Sequence, residues 1–168
     1  NPYFLICGKA LWAPKDPLEW YKKLEPMKDS LLQAARSVGL INLDGRPAGT
    51  AFVVDKGFIV TNAHVVKIIA DYDKSKKFWH LKPGATVTFD VEYPIGPDAD
   101  CPEPNPARTY TINAVFSVPP EAMTVSAEGT TMNDVAVLLT SADENYPLKL
   151  KVASDIPSKK YAGNMVVA

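Results

Sequence analysis

At 168 residues, against about 150 residues per domain, the chain has the length of one domain with a substantial core. Hydrophobic residues make up 46% and charged residues 22%, which excludes disordered, collagen-like and coiled-coil classes. Eighteen Lys and Arg against nineteen Asp and Glu leave a net charge of −1, so nothing pulls it generally toward nucleic acid or an anionic membrane.

No apolar run approaches the roughly 20 residues that cross a bilayer, and Tyr3 to Cys7 is too short for a signal-peptide core. No membrane span is expected. Cys7 and Cys101 are two isolated cysteines, too few for a disulfide framework and too far apart for a zinc knuckle. The first residue is Asn1 rather than Met, which reads as a processed, cut-down or partly recorded chain.

Residues 1–36 read as a helical segment. Asp16-Pro17-Leu18-Glu19 combines a capping aspartate, proline at the first helical position and a glutamate three residues after the cap. Leu18, Tyr21 and Leu24 follow at helical spacing until Pro26. Met27, Leu31, Ala34 and Ala35 start a second stripe. Two short helices are predicted.

Beyond Ser37 the pattern becomes β-branched and short. Strands are predicted at Val38 to Leu43, Ala51 to Val54, Phe58 to Thr61, Ala85 to Val91, Thr109 to Val118, Val135 to Thr140 and Leu148 to Val152. Asp44-Gly45 and Asp55-Lys56-Gly57 are hairpin turns in which glycine supplies positive φ. No long helix separates these strands, which disfavours a parallel sheet. A small antiparallel barrel over 37–153 fits. Val66 to Tyr72 reads as a short helix, and Lys74, Lys76 and Lys77 as a solvated surface. Five prolines between Tyr93 and Ala107 make that stretch a surface loop, and Pro119 to Asn133 is also irregular.

Two stretches carry chemistry. Gly49 to Val54, the turn at Gly57, and Phe58 to Val66 form a buried hairpin that delivers His64 where a strand becomes a helical turn. A general base needs rigid neighbours and an open face. Asn133-Asp134 stands directly ahead of the apolar run Val135 to Leu139, where an unpaired carboxylate costs several kcal/mol. Asp134 therefore needs a partner, and His64 is one of only two histidines. A carboxylate accepting from Nδ1–H fixes the tautomer and steadies the imidazolium.

The stretch Gly49 to Val66, centred on Thr61-Asn62-Ala63-His64, resembles the histidine motif of the trypsin-like, chymotrypsin-fold serine peptidases, particularly bacterial ones of the HtrA and glutamyl-endopeptidase kind. Asp134 to Leu138 resembles their aspartate motif, and the order His then Asp is also theirs. The likeness covers about Ala35 to Ala168. It implies a mainly β fold in which 37–153 is the first barrel of a double barrel and 154–168 opens the second. It also implies that His64 and Asp134 are catalytic and that the serine comes from the second barrel. The protein would cleave a protein or peptide substrate and work outside the cytoplasm. No cysteine follows His64, where Val65 stands, in keeping with a bacterial type.

The chain departs from that pattern after Asp134. Ser141, Ser154 and Ser158 have no adjacent glycine and no turn that offers two N–H groups to an oxyanion. The expectation is an N-terminal half: no nucleophile in this chain, no activity alone, and an inter-barrel face that invites self-association. A barrel that binds or scaffolds without catalysing is the alternative. Cys7 or Cys101 with His64 lacks a nucleophile turn. His80 with Asp71, Asp73 or Glu92 lacks metal-ligand spacing, and Asp98, Asp100 and Glu103 lack the glycine and terminal glutamate of a calcium loop. No cofactor or metal is expected.

Overall fold

The computed structural model describes residues 5–7, 10–12, 22, 24–91, 106–119 and 134–150, with backbone alone for 5–7 and 10–12. Strands β1 (Leu5–Cys7) and β2 (Ala10–Trp12) form a small antiparallel hairpin that the sequence patterns did not predict. A 3₁₀ turn at Glu25–Met27 leads into helix α1 (Lys28–Ala35). This is the second of the two predicted helices; the capping signal at Asp16 lies outside the described residues.

The main body is a closed antiparallel barrel of β3 (Val38–Leu43), β4 (Arg46–Asp55), β5 (Phe58–Thr61), β8 (Ala85–Phe89), β9 (Arg108–Ser117) and β10 (Ala136–Thr140), in the order β10-β5-β4-β3-β8-β9. Closure leaves no strand edge. The fold is thus mainly β with short N-terminal helical structure, as the strand pattern predicts. Asp44 and Gly45 both have positive φ, 49° and 75°, and Gly57 has φ 78°, so the two turns are the tight hairpins expected of these residues. β4 starts five residues earlier than predicted. Pro47 is accommodated because the register shifts opposite Ile41 and Asn42, and a bulge tolerates the missing N–H.

Alternation of period two fills the barrel. Ala85, Val87 and Phe89 of β8 and Ala136, Leu138 and Thr140 of β10 point inward and are buried. The rings of Phe89, Tyr110 and Tyr146 meet edge to face with centroids 4.8–6.0 Å apart, a geometry that adds to their area burial. The Tyr146 hydroxyl shares a 2.8 Å hydrogen bond with Thr140 Oγ1. Burial, helped by a 3.0 Å bond to Asp143, pushes the Tyr110 phenol up to about 12.

Two local expectations are corrected. The helix expected at Val66 to Tyr72 starts earlier, as α2 (Ala63–Ile69), and gives way at Ala70 to the hairpin β6 (Ala70–Asp73) and β7 (Phe78–Leu81). Residues 148–150 are not a strand, although Leu150 N–H donates to the Val53 carbonyl at 2.9 Å and Ser37 Oγ–H to the Leu148 carbonyl at 2.5 Å. These bonds strap the segment after β10 onto β4 and the start of β3.

Candidate active site

Strand β5 ends at Thr61, which is 3% exposed and donates its hydroxyl to the Thr50 carbonyl at 2.7 Å. That bond pins the strand end to β4, and the backbone turns at once into α2. Ala63, Val65, Val66 and Ile69 of α2 are buried against the barrel, which forces His64 onto the outer side. Gly49 lets the helix come this close. A Cβ at that position would run into the Val65 side chain next to His64.

The structure brings His64 and Asp134 together. His64 Nδ1 lies 2.6 Å from Asp134 Oδ2, and the His64 backbone N–H donates to Oδ1 at 2.9 Å. Asn62 Nδ2–H₂ donates to the Asp134 carbonyl at 3.0 Å and to Oδ2 at 3.3 Å. Both carboxylate oxygens are therefore engaged by one three-residue stretch. With Asp134 ionised, the proton must sit on Nδ1, leaving Nε2 as the lone-pair nitrogen. The His64 side chain is 61% exposed, so the ring is open to an incoming group.

Asp134 is not the buried acid that its position before an apolar run predicts. Its side chain is 26% exposed, because β10 begins only at Ala136 and Val135 itself is exposed. The carboxylate sits at the barrel rim, where partial desolvation pushes its pKa up. The hydrogen bonds from the His64 ring and backbone, the His64 charge and the Asn62 amide outweigh that, holding it below its ordinary value. Asn62 was not singled out by sequence reasoning. Its signal was its place between two residues of the histidine motif.

Among the described residues, the other candidates are not assembled, and Ser154 and Ser158 lie outside them. Ser141 is tied to β9: its Oγ accepts from Thr111 N–H at 3.0 Å and its N–H donates to the Thr111 carbonyl at 2.9 Å. His80 Nε2 lies 3.8 Å from Asp73 Oδ2, and no group of three or more metal-ligating side chains occurs among the described residues. The side chains of Cys7, Cys101, Asp98, Asp100 and Glu103, and Glu92, lie outside the described residues. A concavity of about 590 Å³ is lined by Arg36, Arg108, Tyr110, Asp143 and Tyr146, away from the His64 pair. Arg108 is already committed there to Asp90 and the Asn145 carbonyl, and we assign that cavity no chemistry.

Among the described residues, no helix is long and apolar enough to cross a membrane. No protein-family model and no curated protein matches the sequence. Among solved structures, the chain is similar to human heparin binding protein, at 14% identity and a TM-score of 0.41. That match takes in 74% of this chain and 48% of the other, so the chain spans about half the length of the structure it matches.

Proposed function

We propose that this chain is the N-terminal portion of a trypsin-like serine endopeptidase of bacterial type, which hydrolyses peptide bonds by acyl transfer. The observation that carries the reading is the 2.6 Å contact between Asp134 Oδ2 and an imidazole that is otherwise open to solvent. His64 is the general base. Its Nε2 takes the proton from a serine hydroxyl as that oxygen attacks the scissile carbonyl, then returns it to the departing amine, a contribution of roughly 10² to 10⁴ in rate. Asp134 stays ionised, holds the ring in its tautomer and stabilises the imidazolium.

The serine and its oxyanion donors belong to polypeptide beyond Ala168. The partners of this chain are that remaining half and a protein or peptide substrate, and its place is outside the cytoplasm. The outer barrel face exposes Phe52, Val135 and Phe116, at 42%, 47% and 66%; the remaining half packs against apolar surface of this kind, and without it the chain is inert and self-associates.

The reading is tested on the longer polypeptide. Its continuation encodes a Gly-x-Ser-Gly turn, and the protein cleaves casein only while His64 is intact. A continuation without such a turn, or undiminished cleavage by His64→Ala, overturns it.

A further inference from the structure

Asn62 occupies the N-cap position of α2, with φ −80° and ψ 144°, and asparagine is among the residues most favoured there. Its side chain makes no capping hydrogen bond. It reaches instead across to the Asp134 carbonyl and carboxylate. The donor that an N-cap side chain ordinarily satisfies, the backbone N–H of the second helical residue, is His64 N–H, and Asp134 Oδ1 accepts it from another part of the chain. The two residues have exchanged duties: Asp134 caps the helix that carries His64, and Asn62 holds Asp134.

We infer that Asn62 is a positioning residue that fixes the Asp134 carboxylate beneath His64 Nδ1, so that the pair is set within this barrel before any other part of the protein docks. The inference rests on the peptidase reading for its purpose but not for its geometry. An amide is the group the site requires. Its two N–H donors reach a carbonyl and a carboxylate at once, and it has no charge to repel Asp134. Serine and aspartate cap helices as well as asparagine does, yet serine lacks the reach and aspartate sets a carboxylate against a carboxylate.

That difference separates positioning from capping. Proton NMR of the 168-residue chain, labelled with ¹⁵N at histidine, reads the His64 Nδ1–H directly through its far-downfield resonance and its exchange with water. The wild-type chain shows a protected Nδ1–H that disappears in Asp134→Asn. In Asn62→Ser and Asn62→Asp the melting temperature stays within about 4 °C of wild type, while Nδ1–H exchange rises about tenfold or more, the factor that one lost hydrogen bond to a charged group carries. The Asp134 carboxyl, followed by ¹³C NMR, titrates at higher pH in both variants. An Nδ1–H as protected in Asn62→Ser as in wild type overturns the positioning role and leaves the peptidase reading untouched. Failure of the longer wild-type polypeptide to cleave casein overturns that reading and leaves the positioning result standing.

Discussion

Each of the two histidines has an aspartate near it, and the two pairs are built differently. His64 meets Asp134 at 2.6 Å, and Asp134 takes two further donors, His64 N–H and the Asn62 amide, onto its carboxylate. His80 lies 3.8 Å from Asp73, whose carboxylate already serves the Ser75 hydroxyl at 2.6 Å and the N–H groups of Ser75 and Lys76. Both carboxyls sit below their ordinary value, for different reasons. For Asp73 the Ser75 hydroxyl is the largest cause and His80 the last; for Asp134 burial pulls upward and His64 contributes most of what overcomes it. Asp73 organises its own turn, whereas Asp134 organises a histidine.

The supports differ in the same sense. His64 rides on a helix whose other face is buried on a closed barrel. His80 rides on β6–β7, a two-stranded sheet separate from the barrel that packs on its core through Ala70, Trp79 and Leu81. Preorganisation of a side chain depends on the rigidity of what carries it.

The largest expected difference is catalytic. In the longer polypeptide, Asp134→Asn lowers turnover on the order of 10⁴-fold with little change in KM, and Asp73→Asn leaves both unchanged; steady-state kinetics on a peptide substrate checks this. Equal losses from the two substitutions would erase the distinction drawn here.

Next is the seat of the helix. Gly49→Ala, which drives a methyl into Val65, costs about 1–3 kcal/mol in urea unfolding. It also shifts the His64 resonances, with those of His80 left in place. A variant as stable as wild type would show that α2 is not held as tightly as its contacts imply.

A smaller effect appears in acid. A carboxyl whose folded pKa is lowered contributes stability that is present above its unfolded value, about 3.9, and lost as pH falls through the folded value. The urea midpoint of the wild-type chain therefore drops as pH falls below about 5. Asp134→Asn and Asp73→Asn each flatten that drop. A drop left unchanged by either substitution would mean that its carboxyl is not held down in the folded chain.

The smallest is His80→Gln, which changes stability by less than about 0.5 kcal/mol, as expected of a surface position. Thermal melts read it, and a larger loss would mean that the hairpin depends on the His80–Asp73 contact.

How far the sequence revealed this follows from the range of each interaction. β3 and β5 have the predicted limits because alternation and the Asp44-Gly45 and Asp55-Lys56-Gly57 turns are local signals. The β6–β7 hairpin was missed because Ala70 and Tyr72 extend the apolar run that ends α2, and only the pairing of Ala70–Asp73 with Phe78–Leu81, a contact between separated segments, shows that the chain has become a strand. The meeting of His64 with Asp134 was legible as a need for a partner. The exposure of Asp134 was not, because it depends on where β10 begins rather than on which residues follow. Asn62 was hidden for the same reason: nothing local distinguishes an asparagine that caps its own helix from one that reaches a carboxylate on another strand's approach.

In the proposed mechanism, His64 is the base for a serine supplied by the longer polypeptide. Treating that polypeptide with an active-site-directed serine reagent tests it in one step. One serine beyond Ala168 is labelled in the wild type, and His64→Ala abolishes the label. Full labelling without His64 contradicts the account.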